Sequence, residues 1–184
     1  MKRPRILIAG IGNIFLGDDA FGVEVAQRLA RRALPDEVRV IDFGIRGLDL
    51  TYALLDGYET VILVDALPRG GAPGTLYVLE PASDEVCKSV PASIETHGMD
   101  PVKVLRLAEA MGGKIERLLL VGCEPMPASD YEDMQPGLSV AVRAAVEAAI
   151  SLVEALIVRL LRGETIGSGS DRIIPEREVP SCRE

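Results

Sequence analysis

Two adjacent carboxylates, Asp18 and Asp19, follow a glycine turn that leaves an apolar run, Gly10-Ile11-Gly12-Asn13-Ile14-Phe15-Leu16-Gly17-Asp18-Asp19-Ala20-Phe21-Gly22. A further carboxylate, Asp65, closes a second apolar run, and the single histidine, His97, stands in a stretch of Pro, Ser and charged residues. Two carboxylates and an imidazole suffice to bind a divalent ion while leaving positions open for water or substrate. Asp19, Asp65 and His97 are the candidates for that chemistry, although their spacing does not prove that they converge. Each also has a plainer use. A carboxylate at a helix start caps orphan N–H groups, Asp at a strand end begins a turn, and a loop histidine is commonly an ordinary polar residue. Of the neighbouring pair, Asp18 is the better candidate for the cap.

The elements that must position these groups follow from periodicity. Arg5 to Ala9, RILIA, reads as a strand buried on both faces, and Val23, Ala26, Leu29, Ala30 and Ala33 continue at helical spacing. A dinucleotide fingerprint would need a third glycine where Phe15 stands, and the acidic pair would repel phosphates, so a nucleotide loop is disfavoured. Gly10, Gly12 and Gly17 are expected to shape the turn, with Asn13 bracing it.

Further strands are expected at Val38 to Asp42, Thr60 to Asp65 and Arg117 to Val121. Helices are expected over about Asp19 to Leu34, Leu48 to Leu55, Pro101 to Met111 and Leu138 to Leu161. Alternation of this kind predicts an α/β fold of three layers: a mostly parallel twisted sheet of about five strands with helices on both faces. Thr75 to Glu80 enters from a Gly/Pro turn soon after Asp65 and is expected to be antiparallel or at an edge. Residues 81–99 read as a long loop. Residues 1–162 form one domain, and 163–184, poor in apolar residues, read as a disordered tail.

In a parallel sheet, ligands sit beyond the carboxyl ends of the strands, where Asp19, Asp65 and His97 can all reach. Asp42-Phe43-Gly44-Ile45-Arg46-Gly47 lies at the same edge and suits a strand-to-helix turn, an extended peptide, or a carboxylate bound by Arg46. Glu124 and Asp130 to Asp133 read as a solvated acidic rim. Cys87, Cys123 and Cys182 have no nucleophile motif around them, and an odd number without a close pair fits reduced thiols in a cytoplasmic protein.

At 184 residues and a formal charge of −8, the chain suits neither nucleic acid nor an anionic membrane surface. No apolar run approaches the roughly 20 residues that cross a bilayer, and the basic N-terminus meets glycine and aspartate too soon for a signal peptide.

GIGNIFLGDDAFGVEVAQRL, LVDAL around Asp65 and THG around His97 together resemble the hydrogenase maturation proteases, in order from residue 5 to about residue 160. These endopeptidases trim the C-terminus of the nickel-iron hydrogenase large subunit. The resemblance implies a doubly wound α/β fold and a metal-contacting set of Asp19, Asp65 and His97, which would also be the catalytic residues. Some relatives carry Glu where Asp19 stands. Where many relatives have Asp-Gly-Gly-Thr after the second strand, this chain has Asp42-Phe43-Gly44-Ile45, so Asp42 and Gly44 are implied substrate-binding residues. The resemblance further implies that nickel arrives with the precursor as a recognition handle and that this precursor is the partner; the protein is expected to be a monomer in the cytoplasm. Cleavage by a metal-activated water and cleavage by Asp19 or Asp65 as general base both stay open. So do two other readings: a non-catalytic hydrogenase chaperone, and a small-molecule hydrolase or nucleotide-binding protein of the same fold class.

Overall fold

The computed structural model describes residues 4–81, 101–127, 137–164 and 172–174. Its strands are β1 (Ile6–Ile11), β2 (Val38–Gly44), β3 (Thr60–Ala66), β4 (Leu76–Leu79), β5 (Arg117–Cys123) and β6 (Arg172–Ile174). They form one sheet in the order β2-β1-β3-β5-β4-β6. β2, β1, β3 and β5 run parallel, and β4 runs antiparallel to β5 with Leu76 opposite Cys123, as the short Gly/Pro connection predicts.

The expected five strands are therefore present, and a sixth is added at the margin. β6 pairs antiparallel with β4 and lies inside 163–184, which corrects the reading of that whole segment as disordered. Pairing asks only for extended backbone and an open strand edge, which β4 supplies, so a shortage of apolar residues does not exclude it.

Four helices are described: α1 (Phe21–Leu29), α2 (Gly47–Leu54), α3 (Pro101–Ala110) and α4 (Val140–Leu161). Side chains of β1 to β5 alternate between two cores, as the pleat requires. Ile6, Ile8, Ile62, Val64, Leu119 and Val121 pack with Phe21, Val25 and Leu29 of α1 and with the Val142-Val146-Ile150-Val153-Ile157 stripe of α4. Leu7, Ala9, Val61, Leu63, Leu118 and Leu120 pack with Leu50 and Leu54 of α2 and Val104, Leu105 and Ala108 of α3. The three-layer expectation is met.

The first helix is shorter than its apolar spacing suggests. A 3-10 turn, Gly17–Ala20, precedes α1, and beyond Leu29 the bonds tighten to Arg31 N–H on Arg28 O and Arg32 N–H on Leu29 O. α4 begins with Ser139, whose Oγ accepts Val142 N–H at 3.3 Å as a helix cap.

Glycine decides how closely α1 approaches the sheet. A Cβ on Gly22 would lie 2.0 Å from Val64 O and 2.4 Å from Ile11 O; one on Gly10 would lie 2.3 Å from Gly22 O. Gly10 sits within β1 and serves this close packing, which corrects its assignment to the turn. Gly12 and Gly17, at φ +129° and +55°, do shape the turn. Gly22→Ala forces helix and sheet apart, and the expected loss of about 1–3 kcal/mol of stability is read from the urea midpoint.

Candidate active site

Helical crossovers leave β1 towards β2 and return past it to β3, so the order of the sheet switches between β1 and β3. Beyond the carboxyl ends of two such strands the chain parts, and the crevice left there is where open α/β sheets bind ligands. Asp19 follows β1 and Asp65 lies near the end of β3.

The two meet at Gly12. A Cβ there would fall 1.8 Å from Asp19 O and 3.7 Å from Asp65 Oδ1, so the left-handed glycine lets the turn fold down onto the neighbouring strand end. Asp19 Oδ2 accepts Asn13 N–H at 2.6 Å, and Asn13 Oδ1 accepts Phe15 N–H at 3.0 Å, bracing the turn as expected. Asp65 is only 5% exposed, and its Oδ1 accepts Ala66 N–H at 2.8 Å. Burial holds the Asp65 carboxyl well above the usual carboxylate range, and the nearby Asp19 charge pushes it further, while the Ala66 N–H opposes both. Two carboxyl groups in one crevice, one with raised proton affinity, can share a divalent ion or exchange a proton with water.

His97 lies outside the described residues, as do Cys87, Cys182 and the acidic run Asp130 to Asp133. Among the described residues no group of three or more His, Cys, Asp or Glu is arranged to hold an ion.

The loop after β2 borders the same crevice. Gly44, at φ +54°, accepts Gly12 N–H on its carbonyl at 3.1 Å, and Gln27 Nε2 donates to Asp42 Oδ2 at 2.9 Å. Arg46 folds back on its own loop: its guanidinium donates to the carbonyls of Asp42 and Phe43 and lies 3.8 Å from Asp49. It braces the turn instead of projecting as a carboxylate receptor. Ile14, Phe15 and Leu16 are exposed at the β1 turn, Phe15 at 86%.

Two carboxylates do not match their sequence reading. Asp18 does not cap its own turn; it accepts Met126 N–H at 2.9 Å and Ser139 N–H at 2.7 Å. Glu124 is 5% exposed instead of part of a solvated rim, and it accepts Arg69 N–H, Gly70 N–H and the Tyr77 hydroxyl, the last at 2.7 Å. Glu124 thereby fixes the loop that leaves Asp65. Burial first, then the bond to Glu124, pushes the Tyr77 phenol up to about 12. The one signal for Glu124 in the sequence is its place directly after the apolar run of β5, where a side chain is still within the sheet.

The fold and site define a doubly wound α/β protein with a carboxylate pair at its switch point, and the comparisons with known proteins narrow that class. Residues 23–156 match the family model described as hydrogenase maturation protease. The chain is 38% identical over 161 residues to the hydrogenase expression/formation protein HupD of Rhizobium leguminosarum bv. viciae, covering 86% of this chain and 75% of that one. It is 32% identical over 156 residues to the hydrogenase 2 maturation protease of Escherichia coli K12, covering 83% and 90%. The solved structure of the E. coli hydrogenase maturating endopeptidase HybD superposes with a TM-score of 0.66 at 31% identity, over 85% of this chain and 93% of that one. The chain belongs to the hydrogenase maturation protease family. It is accordingly a peptidase, and its α/β fold is that of the family.

The raised Asp65 carboxyl has a consequence for stability. Unfolded, Asp65 ionises near its ordinary value of about 3.9; folded, it keeps its proton to higher pH, so stability is lost as pH rises from there through the folded value. Asp65→Asn retains an oxygen for Ala66 N–H and removes the charge. Its Tm is expected to exceed that of the wild type above about pH 4, by a margin that widens with pH. Thermal melts across pH check this; parallel curves would contradict it.

Proposed function

We propose that the protein removes a C-terminal peptide from the nickel-loaded precursor of the nickel-iron hydrogenase large subunit, acting as a monomer in the cytoplasm. The observation that carries this reading is the placement of Asp19 beside Asp65 at the β1/β3 switch point of a chain belonging to this family. The curated relatives are named for hydrogenase formation or maturation, which supplies the substrate class.

The nickel is part of the substrate: it arrives bound to the precursor and is read by Asp19, Asp65 and His97. Carboxylate oxygen and imidazole nitrogen are acceptable nickel donors, and the crevice offers the two carboxylates together. His97 stands four residues before Pro101, where α3 begins, and four residues span at most about 14 Å. α3 feeds the amino end of β5, so its own start faces the carboxyl edge of the sheet. The end of β2, which carries Asp42 and Gly44 and is linked to the β1 turn through Gly12, supports the extended peptide.

For the cleavage step, one carboxylate of the pair acts as general base on an attacking water. Water adds to the scissile carbonyl as that carboxylate takes its proton. The same proton passes to the leaving amine when the peptide bond breaks.

Intact mass after incubation with nickel-loaded and metal-free precursor tests the reading. The loaded form alone is expected to lose a C-terminal peptide. Asp19→Asn and His97→Ala are each expected to slow this by at least about 100-fold, and full cleavage by either variant would sink the assignment. A precursor that binds the wild type yet keeps its mass would favour a chaperone instead.

A further inference from the structure

Asp18 is completely buried, and neither of its hydrogen bonds serves its own turn. One oxygen takes Met126 N–H, shortly after β5, and the other takes Ser139 N–H, at the entrance to α4; the partners are 108 and 121 residues away in the chain. A carboxylate held by two backbone donors is a charge-assisted anchor, stronger than a neutral pair. Leu16 at the start of the 3-10 turn that carries it offers no side-chain cap, and the backbone ties of the turn, Leu16 N–H to Asn13 O and Asp19 N–H to Leu16 O, both 3.1 Å, and Phe21 N–H to Asp18 O, all lie within the segment itself. Short 3-10 segments have poor hydrogen-bond geometry and yield readily unless tertiary contacts pin them.

Asp19 is the very next residue. Its carboxylate reaches back to Asn13 N–H at 2.6 Å and lies near enough to Asp65 to act on that group's charge. Neighbouring carboxylates on one turn are thus committed in different directions, one to the ends of β5 and α4 and one to the crevice.

We infer that Asp18 is a positioning residue for the peptidase site: by pinning the 3-10 turn to the ends of β5 and α4, it sets where the Asp19 carboxylate stands relative to Asp65. The inference rests on the reading of Asp19 as a site residue given above. A residue needed for folding alone would act through stability. A positioning residue acts through geometry, where a displacement of about 1 Å can lower turnover on the order of 100-fold.

Asp18→Asn keeps the shape but turns an NH2 group towards one of the two N–H donors, which breaks that bond. Ser139→Pro offers a second route. Ser139 has φ −58° and ψ 161°, a conformation proline adopts, so the change deletes the N–H given to Asp18 together with the Oγ cap on α4. Ser139→Ala deletes the cap alone.

Assayed well below their own melting temperatures on nickel-loaded precursor, Asp18→Asn and Ser139→Pro are expected to lose about 10- to 100-fold in kcat with KM within about threefold. Ser139→Ala is expected to lower Tm without that loss. Hydrogen exchange at the Asn13 amide, whose acceptor is Asp19, is expected to quicken about tenfold or more in the first two variants only. That readout needs no substrate, so it tests the placement of Asp19 even if the wild type leaves the precursor uncut, which would count against the proposed function instead. Unchanged kcat and unchanged Asn13 exchange in folded Asp18→Asn would overturn the inference.

Discussion

The contact of Gly22 with the carbonyls of Val64 and Ile11 is the constraint from which the site follows. Helix α1 lies against the backbone of β1 and β3, with no side chain between them at its first turn. An L residue at this point would lift the helix start, and with it the 3-10 turn that bears Asp18 and Asp19. Close approach at Gly10 and Gly22 therefore does more than pack a core. It lowers an acidic turn onto the switch point between β1 and β3.

Around that turn, the loops of the carboxyl edge are knitted together by backbone groups meeting buried or half-buried oxygens. Gly44 carbonyl holds Gly12, Asp18 holds Met126 and Ser139, and Glu124 holds Arg69, Gly70 and Tyr77. Loops without regular structure must place their N–H groups somewhere, and here carboxylates collect them. The result is an edge rigid enough to keep two acidic groups close despite their repulsion. Burial, and then that closeness, is what raises the proton affinity of Asp65.

The layers, the parallel strands, the antiparallel β4 and the approach of Asp19 to Asp65 were legible because each rests on local pattern: apolar runs, helical spacing, glycine turns and the strand-end rule. What misled the reading was tertiary. Asp18 looks like a cap because a helix follows it, yet its donors come from more than a hundred residues downstream. Glu124 sits in an acidic, proline-containing stretch that resembles solvated loop, and only the fold brings Tyr77 and the Arg69 turn to it. Gly10 reads as part of a glycine turn because nothing in a linear sequence shows a helix lying across it. β6 was hidden for the opposite reason, since edge pairing depends on an available neighbour and hardly on composition.

Cys123 ends β5, paired with Ala66 one residue beyond Asp65, and its buried thiol is pushed up to about 12, first by burial and then by the charges of Asp18 and Glu124. A thiolate at this edge would be the softest donor near the crevice, and a soft donor competes hardest for a late first-row metal. Packed into the core against α4, Cys123 stands apart from that chemistry, and Asp19 and Asp65 present oxygen to the crevice.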